Sequence, residues 1–153
     1  MPFEDVWFTS DRRVPPSGSE PESGDSQPAT LLATPVLVIE DESLIAWMIE
    51  DILTDVGFTT IAIVASGQQA LDQARRIAPG LIVSDVNLGK GEDGVETVRA
   101  IRQWCPAPAV FVTGYADATI RERIERDLGG AQLLRKPVDR KALIAAVMRA
   151  LGN

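Results

Sequence analysis

Four short segments carry side chains able to do chemistry, and each follows an apolar run. Glu40-Asp41-Glu42 follows Val36-Leu37-Val38-Ile39, and Asp85 comes shortly after Leu81-Ile82-Val83. Thr113-Gly114 follows Ala109-Val110-Phe111-Val112, and Lys136-Pro137 comes shortly after Ala131-Gln132-Leu133-Leu134. Singly, each has an ordinary explanation: Asp41 or Ser43 can cap a helix, Asp85 can turn a loop, Thr113 is β-branched and Lys136 is a surface cation. Gathered at one edge, the carboxylates repel one another and are tolerable only with a bound cation or a raised pKa. Oxygen-only ligation in a chain without histidine points to Mg2+. That ion retains waters, and two carboxylates and a backbone carbonyl satisfy it while leaving a position for a phosphoryl oxygen. Phosphoryl transfer to a carboxylate follows.

Composition removes competing chemistries. The absence of histidine excludes Ser-His-Asp and Cys-His nucleophile arrangements, His-ligated zinc and a phosphohistidine on this chain. Cys105, the single cysteine, cannot form an intramolecular disulfide, and there is neither a signal-peptide pattern nor an apolar run of about 18 residues. The expected location is the cytoplasm, with no membrane partner. A net charge of −7 gives no electrostatic grip on phosphate backbones, so no nucleic-acid partner is expected. With 153 residues, 45% of them hydrophobic, the chain has room and apolar material for one domain plus a tail.

The elements that must position these residues alternate. The apolar runs above, with Ile61-Ala62-Ile63-Val64, read as five mostly buried strands. Helical patterns lie between them. Leu44, Met48 and Ile52, with Ile45, Ile49 and Val56, give the first its stripe, and Gly57 stops it. Leu71, Ala74 and Ala78 mark a second that ends before Pro79; Val95, Val98 and Ile101 mark a third, closed near Pro106. Ile120, Ile124 and Leu128 form a narrow stripe among charges, so the fourth helix should be the least firmly held. The fifth starts from Asp139 as N-cap, with Leu143, Val147, Ala150 and Leu151 inward. Five βα units with right-handed crossovers give an α/β fold, a doubly wound parallel sheet of flavodoxin-like (βα)5 type in strand order 2-1-3-4-5. Ligands gather at the carboxyl ends of such strands, where the four segments sit.

Residues 1–34 differ from the rest. Pro15-Pro16-Ser17-Gly18-Ser19-Glu20-Pro21-Glu22-Ser23-Gly24-Asp25-Ser26 is too polar to offset its ordering entropy, so residues 1–34 are expected to be a flexible arm and residues 35–153 the domain. Within the arm, Phe3, Val6, Trp7 and Phe8 form an apolar cluster beside Glu4 and Asp5. It can dock on a partner, fold back on the domain, or be an untidy terminus.

On Val36-Leu37-Val38-Ile39-Glu40-Asp41-Glu42, Ile82-Val83-Ser84-Asp85-Val86-Asn87-Leu88, Phe111-Val112-Thr113-Gly114 and Lys136-Pro137, residues 35 to 152 resemble the receiver domain of bacterial response regulators. The resemblance implies that Asp85 is the phosphoacceptor. Asp41, Asp85 and the Asn87 backbone carbonyl would be direct Mg2+ ligands, with Glu40 a contact through water. Lys136 and Thr113 would hold phosphoryl oxygens, and Pro137 would follow a cis peptide bond. A stand-alone signalling protein rather than an enzyme is expected, on the reading that no output domain follows Leu151-Gly152-Asn153. Its phosphodonor would be a phosphohistidine on a sensor histidine kinase or histidine phosphotransfer protein, and its downstream protein target would be met through the fourth helix, fifth strand and fifth helix.

The sequence departs from the common receiver pattern in several places. Glu40 replaces the more usual Asp, implying retained but altered Mg2+ affinity. The segment Leu88-Gly89-Lys90-Gly91-Glu92-Asp93-Gly94 lacks the common proline, is one residue longer than usual and should be mobile. Leu133 stands where most receivers carry Tyr or Phe. Phe111-Val112-Thr113-Gly114-Tyr115 instead resembles the "FAT GUY" subgroup, which moves the aromatic to the loop after the fourth strand. Signalling is then expected to run through residues 113–115 and the fourth helix. Asn87 and Tyr115 occupy the two positions that tune hydrolysis of the acyl phosphate in the family, and a bulky Tyr115 implies slow hydrolysis.

Other readings remain. A pseudo-receiver would bind partners without phosphorylation, against which the intact acidic site argues. A haloacid dehalogenase-like phosphatase also uses an aspartyl nucleophile and Mg2+ but wants a second acid where Asn87 stands. A flavin-binding flavodoxin would need a Ser/Thr-rich phosphate loop after strand one. Trp47, Trp104 and Cys105 are expected to pack, or half-pack, without a chemical role.

Overall fold

Strands that are apolar at every position need cover on both faces, and helices between parallel strands supply it. The computed structural model describes residues 31–152. In chain order it contains β1 (Val36–Ile39), α1 (Ser43–Val56), β2 (Ile61–Val64), α2 (Gly67–Ile77), β3 (Leu81–Asp85) and α3 (Gly94–Ile101). Then follow β4 (Ala109–Thr113), α4 (Ala118–Asp127), β5 (Gln132–Arg135) and α5 (Arg140–Ala150). All neighbours in the five-stranded sheet are parallel, and the order is β2-β1-β3-β4-β5, as the alternation implied.

Successive side chains of a strand point to opposite faces, so the sheet divides the core in two. Leu37, Ile39, Ile82 and Phe111 join Ala74, Val98 and Ile124 from α2, α3 and α4. Val36, Val38, Val83, Val110 and Val112 join Ile49 and Leu53 from α1 and Leu143 and Val147 from α5. Both helix layers are therefore required by the sheet's sequence.

Three packing expectations need correction. The inward face of α1 is Ala46, Ile49, Ile52 and Leu53, whereas Leu44 and Met48 point outward. The helix has more apolar residues than one face can bury, and periodicity alone does not say which set wins. β5 is only half-buried, whereas the other edge strand, β2, is buried throughout. Ala78 is exposed and in the left-handed conformation that ends α2, while Ala70 and Gln73 take the buried positions.

The arm expected over 1–34 lies almost wholly outside the described residues, as do Phe3, Val6, Trp7 and Phe8. Within its last residues Leu32 is half-buried against the α1–α5 cluster, so the fold extends upstream of Pro35. The segment after β3 is not an open loop: Asn87–Leu88 and Glu92–Asp93 pair as a two-stranded antiparallel ribbon with Leu88 buried. The ribbon turns through Gly89, Lys90 and Gly91, all at positive φ.

Candidate functional site

The carboxyl ends of β1, β3, β4 and β5 deliver the four segments to one rim. Glu40 continues β1, its amide donating to the Val64 carbonyl at 3.0 Å, and its side chain is buried. Asp41 follows and is exposed. Asp85 is the last residue of β3 and only 6% exposed. Its register partner on β4 is Val112, which puts Thr113 one step beyond, fully buried at the strand's end. The Lys136 amide donates to the Thr113 carbonyl at 2.8 Å, carrying the β4–β5 pairing one residue past β5. The Lys136–Pro137 peptide bond is cis.

One ammonium faces several carboxylates. Lys136 Nζ lies 3.0 Å from Asp85 Oδ2, 3.4 Å from Glu40 Oε1 and 3.4 Å from Glu42 Oε1. Oxygens of Glu40, Asp41 and Asp85 lie within 4.8 Å of one another, the acidic cluster among the described residues with metal-ligand spacing. Backbone amides hold the outer oxygens: Asn87 N–H donates to Asp85 Oδ1 at 3.1 Å and Glu42 N–H to Glu40 Oε2 at 3.2 Å.

The electrostatics follow from this crowding. Burial, then the charge of Asp85, pushes the Glu40 carboxyl up to about 7, against the opposing pull of Lys136. For Lys136, burial alone would lower the pKa, but the Asp85 hydrogen bond and the Glu40 and Asp85 charges outweigh it and the net shift is upward. Lys136 is therefore charged throughout the physiological range, whereas Glu40 is poised to exchange a proton.

The residues fit a small divalent cation. Glu40 Oε1 is buried without a well-aligned hydrogen bond, its nearest cation being Lys136 Nζ at 3.4 Å. A buried carboxylate oxygen without a well-aligned donor is costly, and an ion or its bound water would satisfy it. Opposite oxygens around Mg2+ stand about 4.2 Å apart. The 4.8 Å within which the three carboxylate oxygens lie is of that scale.

Two glycines shape the site. A Cβ at Gly89 would stand 2.7 Å from Asp41 Oδ2, so the ribbon's turn closes directly over that carboxylate. A Cβ at Gly94 would overlap the Asp85 backbone carbonyl oxygen. The ribbon is tied at two further points: Glu92 Oε1 accepts from Gly67 N–H at 3.0 Å, and Asp93 accepts from Arg123 of α4 at 2.6 Å.

Every residue expected at the site therefore lies at this rim. Oxygens of Glu40, Asp41 and Asp85 are brought within 4.8 Å and Lys136 pairs with Glu40 and Asp85, while Thr113 is joined to Lys136 through its backbone carbonyl and Asn87 meets Asp85 through its amide rather than the carbonyl expected as a ligand. Glu42, Gly89, Gly94 and Arg123 were not singled out for roles. Glu42 shares the acidic run and was legible in principle, whereas the others act through approaches visible only in the fold. Tyr115 is 72% exposed, with its amide donating to Thr113 Oγ1 at 3.1 Å. Trp47 is exposed rather than packed, Trp104 lies under Arg75 with 4.9 Å from guanidinium to ring centre, and Cys105 is buried with its sulfur 3.4 Å from the Pro79 carbonyl oxygen. Among the described residues no helix is long and apolar enough to cross a membrane.

Residues 36–148 match the family described as response regulator receiver domain. The chain is 31% identical over 122 residues to the phyllosphere-induced regulator PhyR of Methylorubrum extorquens, covering 78% of this chain and 44% of that protein. It is 31% identical over 118 residues to the transcriptional regulatory protein PdtaR of Mycobacterium tuberculosis, covering 77% of this chain and 57% of that one. The chain thus spans about half the length of the curated relatives it matches. Among solved structures, the signal receiver domain of a modulated diguanylate cyclase from Desulfovibrio desulfuricans superposes with a TM-score of 0.67 at 27% identity, covering 77% of this chain and 93% of that domain.

Proposed function

The chain belongs to the response regulator receiver domain family, and from that premise we propose that Asp85 accepts a phosphoryl group from a phosphohistidine on a sensor histidine kinase or histidine phosphotransfer protein. The observation that carries this reading is the buried Asp85 carboxylate held between Lys136 Nζ at 3.0 Å and the β1 acidic pair. A nucleophilic carboxylate needs an orienting donor on one side and charge neutralisation on the other, and this arrangement provides for both.

In the proposed transfer an Asp85 oxygen attacks phosphorus in line. The new O–P bond forms as the P–N bond breaks, and its electron pair returns to the donor's imidazole. Asn87 N–H, donating to Oδ1, orients the carboxylate. Lys136 hands its hydrogen bond from Asp85 to a phosphoryl oxygen, and the Thr113 hydroxyl, now accepting from Tyr115 N–H, takes another. Asp41, Asp85 and the Asn87 carbonyl would hold Mg2+ directly and Glu40 through water; when bound, the ion neutralises charge on the transferring oxygens. Catalysis here is positioning and electrostatics, with the phosphoryl group retained as a signal.

The signal passes to the α4, β5 and α5 face. α4 fully buries only Ile124 along its length, with Ile120 partly buried, Leu128 packed at its end and Arg123 paired with Asp93 and Glu96, so its position is easily biased. With Leu133 in place of an aromatic on β5, the moving parts are Thr113, Gly114, Tyr115 and α4. Beryllofluoride with Mg2+, an acyl-phosphate mimic, tests this. Amide chemical-shift changes are expected around Asp85 and across residues 113–128. Changes absent around Asp85 would favour a receiver that works without phosphorylation, and changes at Asp85 that leave 113–128 untouched would refute the signalling route.

A further inference from the structure

The ribbon after β3 touches the acidic rim on one strand and α4 on the other. Asn87 N–H donates to Asp85 Oδ1 at 3.1 Å, and Asn87 is paired in register with Asp93. One step along, Gly94 N–H donates to the Val86 carbonyl at 2.7 Å. Bonded and non-bonded pairs alternate in an antiparallel ladder, so Asn87 and Asp93 form a non-bonded pair and the Asn87 amide and carbonyl turn together away from the ribbon. Since the amide reaches Asp85, the carbonyl is turned to that same side. Asp93, opposite, has two tasks. Its Oδ1 caps α3, accepting from Val95 N–H at 2.8 Å and Glu96 N–H at 3.3 Å, while Oδ2 accepts from Arg123 of α4 at 2.6 Å.

We propose that Arg123 is a positioning residue for the cation site: by holding Asp93 it fixes the ribbon where the Asn87 carbonyl faces the carboxylates, and it makes α4 and the cation site respond to each other. The proposal rests on the reading that Mg2+ takes that carbonyl, and it does not require phosphoryl transfer. Three printed contacts link the two ends: Asp85 to Asn87, Asn87 to Asp93, and Asp93 to Arg123. The route is separate from Thr113, Gly114 and Tyr115. It is also reciprocal, since whatever the Arg123–Asp93 pair adds to Mg2+ affinity, bound Mg2+ returns to the pair. The Arg123 and Asp93 side chains are 24% and 35% exposed, and a partly exposed ion pair limits the coupling to about two- to fivefold.

Calorimetric titration of the full chain with Mg2+, without any phosphodonor, reads the effect. Arg123→Ala and Asp93→Asn should each weaken binding about two- to fivefold; asparagine keeps a good N-cap for α3, so the second change removes the pair and spares the cap. The double variant should be no weaker than the weaker single one, and Arg123→Lys, which keeps the charge, should recover part of the loss. Arg126→Ala, which removes the same charge from a residue paired with Asp127, should not weaken binding. Saturating Mg2+ should slow hydrogen exchange in residues 118–127 of the wild type and not of Arg123→Ala. A pure charge effect has another signature: losing a cation near an acidic site tightens Mg2+ binding while losing Asp93 weakens it. That pattern overturns the proposal, as do unchanged affinity in either variant, additive losses in the double variant, or exchange slowed equally in both chains. A wild type that takes up no Mg2+ removes the cation site and the proposal with it, whereas binding indifferent to Arg123 and Asp93 removes the proposal alone.

Discussion

Replacing Glu40 by glutamine should stabilise the metal-free protein, but only where Glu40 would be ionised. The carboxyl is 2% exposed, stands beside Asp85 and has one oxygen without a well-aligned hydrogen bond. Its rise from 4.5 to about 7 already includes the attraction of Lys136. At about 1.4 kcal/mol per pKa unit, ionising Glu40 in the folded state costs up to about 3 kcal/mol more than in the unfolded chain. Because the folded pKa is raised, the folded state holds the proton more tightly. The penalty is absent below about pH 4.5, grows as pH rises and is complete above about pH 7. Glutamine keeps an oxygen for the Glu42 amide and carries no charge, so about 1–3 kcal/mol should be recovered at pH 8 and close to nothing at pH 4.5. Urea unfolding of both chains in EDTA, at several pH values between these limits, measures the difference while cancelling groups that titrate alike in both. A gain independent of pH, or a loss of stability at pH 8, would refute the reasoning.

The same proton should compete with Mg2+, so below pH 7 the wild-type affinity falls by up to about tenfold per unit, and calorimetric titration of Glu40→Gln should show a flatter pH dependence at weaker binding. Gly94→Ala drives a Cβ into the Asp85 backbone carbonyl and should destabilise by more than about 3 kcal/mol, or abolish folding. Gly114→Ala, which meets nothing within 4 Å, should be tolerated, and circular dichroism in urea separates the two. Arg123→Ala releases Asp93 and Glu96 from α4; since these pairs are partly exposed, global stability should fall by no more than about 1 kcal/mol. Hydrogen exchange in residues 118–127 should nonetheless quicken measurably.

Much of this arrangement was legible because it depends on local chemistry. Short aliphatic runs rich in β-branched residues, such as Val36-Leu37-Val38-Ile39, suit interior strands, and Gly57 and Pro79 punctuate helices by backbone constraint. Strand ends then placed Glu40, Asp41, Asp85, Thr113 and Lys136 at one rim without knowledge of any contact. What escaped depends on long-range approach. Arg123 reaches Asp93 across 30 residues, and neither sits in a motif. Gly94 looks like a loop residue until the Asp85 carbonyl is seen against it. The face of α1 was misjudged because Leu44 and Met48 are as apolar as Ile49 and Leu53, and the hand of packing, not hydrophobicity, decides which set is covered.

The most direct measurement is the intact mass of the protein after incubation with acetyl phosphate, with Mg2+ or with EDTA, for wild type and Asp85→Ala. The account predicts a gain of one phosphoryl group in the wild type with Mg2+, labile in base as an acyl phosphate is, and none with EDTA or in Asp85→Ala. A gain that survives Asp85→Ala, or none in a wild-type chain shown to be folded and Mg2+-bound, would contradict it.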